Sequence, residues 1–152
     1  DLLLEEGAVE LPEGEFNAAF NPEAVVKVTD VLLASHENTA QIIDARPAAR
    51  FNAEVDEPRP GLRRGHIPGA LNVPWTELVR EGELKTTDEL DAIFFGRGVS
   101  YDKPIIVSCG SGVTAAVVLL ALATLDVPNV KLYDGAWSEW GARADLPVEP
   151  VK

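Results

Sequence analysis

Ten residues constrain the fold more than any other stretch: Ile105-Ile106-Val107-Ser108-Cys109-Gly110-Ser111-Gly112-Val113-Thr114, continued by an apolar run over residues 115–125. Four apolar or small residues predict a buried strand, the two glycines a tight loop, and the apolar run a helix. The only cysteine in the chain stands where the strand gives way to the loop. A helix start leaves its first N–H groups unpaired at the positive end of the dipole, and both effects favour negative charge on a sulfur placed there. Gly110 and Gly112 allow the backbone to curl so that several N–H groups face inward as an anion nest. Ser111 and Thr114 add hydroxyl groups to the same rim. The loop reads as a cradle for a nucleophile, although a lone cysteine at a strand end also fits a small buried hydrophobe.

The rest of the chain supplies a setting for that loop. Residues 24–28 predict a short strand, followed by a helix with Thr29 and Asp30 as its cap. Gln41-Ile42-Ile43-Asp44 is a second compact apolar strand, and Leu71-Asn72-Val73 and residues 130–133 are further ones. A brief helix is expected over residues 75–79. Thr86 and Glu89 have the spacing of a capping box ahead of a helix that ends at Gly96 and Gly98. Residues 46–64, with three prolines and five arginines, read as irregular. Strands separated by helical segments, with no hairpin signal of the Asn-Gly kind, predict an α/β domain: a central, mostly parallel sheet flanked by helices on both faces. Ligands of such sheets bind beyond the C-terminal strand ends, and both Cys109 and Asp44-Ala45-Arg46 fall there. Residues 22–152 form this domain. Residues 1–21 read as an N-terminal arm or linker, partly anchored by Phe16 and Phe20.

Charge narrows the partners. With 25 acidic against 13 basic residues the chain carries a formal charge of −12, which argues against nucleic acid or an anionic membrane as a partner. One cysteine excludes an internal disulfide framework and suits a reducing, cytoplasmic setting. No apolar window reaches membrane-spanning length, and the acidic start lacks the basic region of a secretory signal. Two histidines, His36 and His66, are too few and too scattered for a metal site. The chain contains no methionine, which suggests a processed product or part of something longer.

Four segments, in order and in register, carry a resemblance. Gly65-His66-Ile67-Pro68-Gly69-Ala70 and Tyr133-Asp134-Gly135-Ala136-Trp137-Ser138-Glu139-Trp140 resemble the two signature segments of rhodanese-type sulfurtransferases. Cys109 to Thr114 resembles the six-residue active loop of the 3-mercaptopyruvate sulfurtransferases. Asp44-Ala45-Arg46-Pro47-Ala48-Ala49-Arg50-Phe51 resembles the stretch leading to the substrate arginine in the C-terminal, catalytic domain of that tandem family.

The resemblance implies a rhodanese-like domain and a double displacement without a metal or organic cofactor. The Cys109 thiolate would take the outer sulfur of a small anionic donor as a persulfide and pass it to a thiol or cyanide, a thioredoxin-like protein being one candidate acceptor. Cys109 and Ser111 would be the catalytic pair, with Gly110, Gly112, Val113 and Thr114 completing the loop. Arg50 and Arg59 resemble the arginines that hold the donor carboxylate, a task suited to a planar two-pronged donor. Arg46, just after Asp44, is expected to pair with a carboxylate and brace the loop, His66 to fix its own turn, Arg63 and Arg64 to lie solvated on the surface, and Trp137 and Trp140 to pack. Glycine and serine, where thiosulfate-preferring relatives carry basic loop residues, favour 3-mercaptopyruvate over thiosulfate. A phosphatase of related architecture would need a longer loop ending in arginine. The tandem family's N-terminal rhodanese domain has no counterpart in the sequence, so it is expected as a missing partner. The rival reading is a non-enzymatic sulfur carrier or regulatory interaction module with the same fold.

Overall fold

The computed structural model describes residue 7 and residues 13–150. Five strands form one sheet: β1 (Val25–Val26), β2 (Gln41–Asp44), β3 (Leu71–Asn72), β6 (Ile105–Ser108) and β7 (Val130–Tyr133). Their spatial order is β1-β7-β6-β2-β3, and every neighbouring pair is parallel. The central strand β6 is buried along its whole length, which explains its unbroken apolar run. The remaining two strands, β4 (Val79–Arg80) and β5 (Glu83–Leu84), form a separate antiparallel hairpin.

Helices cover both faces of the sheet. On one side α3 (Thr87–Gly96) and α4 (Ala115–Thr124) bring Leu90, Phe94, Val118 and Leu122 against Ile43, Ile105 and Val107. On the other, α1 (Val28–Glu37) and α5 (Ala136–Trp140) pack Val31, Trp137 and Trp140 against Ile42 and Ile106. The fifth helix, α2 (Ala48–Phe51), is a single turn just after the C-terminal end of β2. The α/β expectation therefore holds, with the five-stranded sheet parallel throughout.

Several local expectations are corrected. Lys27, not Thr29, is the N-cap of α1; Asp30 sits three residues on and accepts the Lys27 N–H at 2.9 Å. The brief helix expected over 75–79 is a 3-10 turn over Trp75–Glu77, after which the chain enters the β4–β5 hairpin. That hairpin turns through Glu81 (φ 53°) and Gly82 (φ 88°), so a glutamate occupies the left-handed position usually held by Asn or Asp. Phe16 and Phe20 anchor nothing: they are 91% and 79% exposed. Within the expected arm, residues 1–6 and 8–12 lie outside the described residues. The Thr86–Glu89 capping box is formed as expected, with each side chain bonding the other residue's backbone N–H.

Candidate active site

Strands β2 and β6 are neighbours paired in register, Asp44 opposite Ser108, so the segments that follow them leave the sheet side by side. One leads to Cys109 and the loop ahead of α4; the other leads through Arg46 to α2 and Arg50. The start of α5 closes the third side. There the Trp137 and Ser138 N–H groups donate to the carbonyls of Cys109 and Gly110 at 2.9 and 3.0 Å, tying the loop to the Tyr133–Trp140 segment.

Cys109 is 1% exposed and packs with the apolar side of the sheet that faces α3 and α4. Its sulfur is not an ordinary core atom, because the Gly112 N–H donates to Sγ at 3.1 Å. Gly112 can aim that amide because it adopts φ +85°, and an added Cβ would lie 2.9 Å from the Asp134 carboxylate. The expectation of several inward amides narrows to this one hydrogen bond.

Beside the loop lies a cleft of about 200 Å³, lined by Arg50, Glu57, Pro58, Arg59, Leu62 and the loop residues Gly110, Ser111 and Thr114. The fold thus gathers Arg50, Arg59, Ser111, Gly110 and Thr114 around one opening. Ser111 is exposed there, and its hydroxyl has no hydrogen-bond partner among the described residues. Val113 is 73% exposed and does not line the cleft. Arg59 is fixed through a neutral relay: its Nη1 donates to the Ser138 hydroxyl at 2.8 Å, which in turn donates to the Gly110 carbonyl at 2.6 Å.

A buried ionic network stands behind the cleft. Arg46, whose side chain is fully buried, donates to both Asp44 oxygens, to Glu57 Oε1 at 2.8 Å and to the Gly65 carbonyl at 2.8 Å. Its guanidinium also lies 4.4 Å from the centre of the Trp137 ring. Arg46 is therefore a brace, as expected, but it braces two carboxylates. Glu57 binds Arg50 as well, accepting from Nε at 3.1 Å and pairing closely with Nη2. With its side chain 1% exposed, Glu57 joins the arginine behind the cleft to the arginine on its wall.

His66 does not fix its own turn. Its Nδ1–H donates to the Phe51 carbonyl at 2.8 Å and its ring stacks on Phe51 at 3.7 Å, so it steadies α2, the turn that carries Arg50. Arg63 departs from expectation too: it is half-buried and donates to the carbonyls of Gly141, Trp140 and Leu146. Arg64 is exposed and pairs with Asp56, as expected of a surface residue. Trp137 and Trp140 are core residues whose indole N–H groups reach the carbonyls of Arg63 and Pro147. Burial, and then the Glu139 carboxylate that accepts its hydroxyl, push the Tyr133 phenol above its usual range, so this neighbour of the loop stays neutral.

A family model described as the rhodanese-like domain matches residues 27–143. The chain belongs to the rhodanese family. It is 99% identical over 152 residues to a 3-mercaptopyruvate sulfurtransferase of Escherichia coli O157:H7, a match covering all of this chain and 54% of that protein. The human 3-mercaptopyruvate sulfurtransferase is 37% identical over 145 residues, covering 95% of this chain and 49% of the relative. The chain thus spans about half the length of these curated relatives. Among solved structures, the crystal structure of an Escherichia coli 3-mercaptopyruvate sulfotransferase superposes with a TM-score of 0.77 at 97% identity, covering 91% of this chain and 51% of that one.

Two rhodanese-fold residues with evident roles were not singled out from the sequence. Ser138 reads as part of an aromatic segment, and its place in the family-like stretch Tyr133 to Trp140 is the signal that marks it. Glu57 carried no signal, since an acid among arginines and prolines reads as solvent-exposed. Among the described residues no group of three or more His, Cys, Asp or Glu gathers as a metal site would require. No helix among them is long and apolar enough to cross a membrane.

Proposed function

We propose that the chain is the persulfide-forming domain of a sulfurtransferase, with residues 22–152 as the catalytic domain and 1–21 as an arm. It takes sulfur from 3-mercaptopyruvate, with thiosulfate as a second donor. The observation that carries the reading is the sole thiol, hydrogen-bonded by the Gly112 amide, on the same loop that lines a cleft walled by two arginines.

The chemistry follows from that arrangement. The donor carboxylate lies against Arg50 and Arg59, each of which can offer paired N–H groups. The Cys109 thiolate attacks the donor sulfur; an S–S bond forms, the C–S bond breaks, and the electron pair leaves as the enolate of pyruvate, which takes up a proton. Ser111, on the cleft wall, is placed to hold the oxygen where that charge develops. The Gly112 amide, which already donates to Cys109 Sγ, helps hold the negative persulfide until an acceptor thiol or cyanide removes its outer sulfur. Because Cys109 is nearly sealed, the loop must shift slightly to admit the donor, which excludes bulk water from the persulfide. We further infer that a second rhodanese-type domain completes the cleft, in line with the share of the relatives that the chain spans, and that the protein works in the cytoplasm, consistent with its unpaired thiol.

Mass spectrometry after incubation with 3-mercaptopyruvate tests the proposal. Cys109 should gain about 32 Da, one sulfur atom, and lose it on addition of a thiol. Cys109→Ser should gain nothing while unfolding at the same temperature. A wild-type protein that never acquires the sulfur would favour the non-enzymatic module instead.

A further inference from the structure

The chain carries a net charge of −12, yet its cleft must attract an anion, so the local charge balance matters more than the total. Three charged side chains line the cleft: Arg50, Arg59 and Glu57. Behind them, Asp44 and Arg46 form a buried pair. Asp44, Arg46, Glu57 and Arg50 are joined by direct ion pairs, two of each sign, and this quartet is neutral. Arg59 stands outside it, bonded to the neutral hydroxyl of Ser138. The neighbouring Asp56 is paired with Arg64, and Asp134 lies against Gly112 without lining the cleft.

We propose that Glu57 sets the charge of the donor cleft at a single positive unit, making it a positioning residue that selects singly charged donors over doubly charged ones. Resting on the sulfurtransferase reading, this names the residue that separates two donor classes in one site. Glu57 cancels the charge of Arg50 while holding its guanidinium by Nε and Nη2, so Arg50 offers directed N–H groups and Arg59 supplies the unbalanced charge. A carboxylate donor such as 3-mercaptopyruvate needs one compensating charge. Thiosulfate, a dianion, needs two, and the cleft withholds the second.

Replacing Glu57 by glutamine frees the second charge and keeps the side chain's shape. An added unit charge acts twice as strongly on a dianion as on a monoanion; at cleft distances, in a dielectric between protein surface and water, the difference is about tenfold in relative affinity. The test uses two unreactive probes, sulfate and pyruvate, whose dissociation constants are measured by calorimetry on this chain with any adjoining domain in place. Glu57→Gln should raise the preference for sulfate over pyruvate about tenfold and raise the thiosulfate-to-mercaptopyruvate ratio of kcat/KM in the same sense. Glu57→Asp keeps the charge and should retain the wild-type ratio even if both affinities fall. Should Glu57→Gln not fold, Arg59→Gln decides, because it should shift the binding ratio about tenfold the other way. The inference is overturned if the binding ratio moves less than about twofold, or if Glu57→Asp shifts it as Glu57→Gln does, which marks a purely structural contact. Variants that show the expected binding shifts, alongside a wild type that transfers no sulfur, would sink the sulfurtransferase reading and leave the charge assignment standing.

Discussion

Gly110 sits where the loop meets the arginine wall, and a methyl group placed there tests the cleft without straining the backbone. An ideal Cβ at Gly110 would lie 2.8 Å from Arg50 Nη2 and 3.6 Å from its Cζ and Nη1. Ordinary contact begins near 3.4 Å, so the guanidinium must retreat by about half an ångström. Nη2 is also the atom that pairs with Glu57, whose buried carboxylate is held in turn by Arg46. The retreat therefore disturbs a charge-assisted hydrogen bond worth about 1.5–3 kcal/mol. Gly110 itself is not in the left-handed region, so the loop conformation should survive. Gly110→Ala is expected to raise KM for 3-mercaptopyruvate about tenfold to a hundredfold, with a smaller change in kcat and a loss of stability no larger than that one hydrogen bond. Steady-state kinetics in an Arg50→Ala background complete the cycle. There the methyl group has no guanidinium to displace, and its effect should vanish. An equal loss in both backgrounds would refute the account, because the damage would then come from the loop and not from Arg50.

Three further perturbations test the frame around the site. Arg46→Ala leaves Asp44 and Glu57 buried without their shared cation and should destabilise the fold by about 3–5 kcal/mol in urea titrations; a loss below about 1 kcal/mol would mean that the network is dispensable. Gly65→Ala forces a Cβ to within 2.3 Å of the Glu149 carbonyl at φ +114°, and should destabilise by roughly 2–6 kcal/mol by the same measurement, whereas a near-neutral result would show that the Glu149 segment is free to move away. Glu89 is held at a pKa of about 2, first by its hydrogen bond from Arg80 and then by the bonds from Thr86. Its folded value is depressed, so its contribution is complete above the ordinary value of 4.5 and is lost as pH falls toward about 2. Thermal unfolding across that acid window should be flatter in Glu89→Gln, and an unchanged slope would deny the capping box any share in acid stability.

What could be read from the residues follows a physical divide. Strand β6 was legible because a parallel strand buried between helix layers is apolar along its length, β2 from its apolar centre at Ile42 and Ile43, and α4 because an apolar run after a glycine loop has few alternatives. The β4–β5 hairpin was not, because Glu81 takes the left-handed position and hides the turn. The start of α1 was misplaced because Asp30 caps from inside the helix, reaching back to Lys27, and an acid at that spacing looks the same from the sequence as a cap itself. In the candidate site, Cys109 and its loop were legible from local pattern, and Arg50 and Arg59 from family resemblance.

Residues 46–64 mark the limit of such reading, and the reason lies in what folds them. Apart from the single turn of α2, no periodic element organises this stretch; it closes around the charges of Arg46 and Glu57. Periodicity reports burial only where burial is apolar, so a segment ordered by ion pairs looks the same in sequence as a solvated loop. Arg46 escaped that ambiguity because its partner Asp44 is two residues away, near enough to be guessed. Glu57 did not, since its two arginines lie seven and eleven residues off and meet it only after the chain has turned back on α2. The same closure that hides Glu57 in the sequence gives it leverage in the structure: one buried carboxylate, shared between the arginine that braces the sheet edge and the arginine on the cleft wall, couples the stability of the fold to the charge of the cleft. A substitution at this position that removes the charge, such as Glu57→Gln, should therefore change stability and donor preference together, whereas at exposed Arg59 donor preference should change alone.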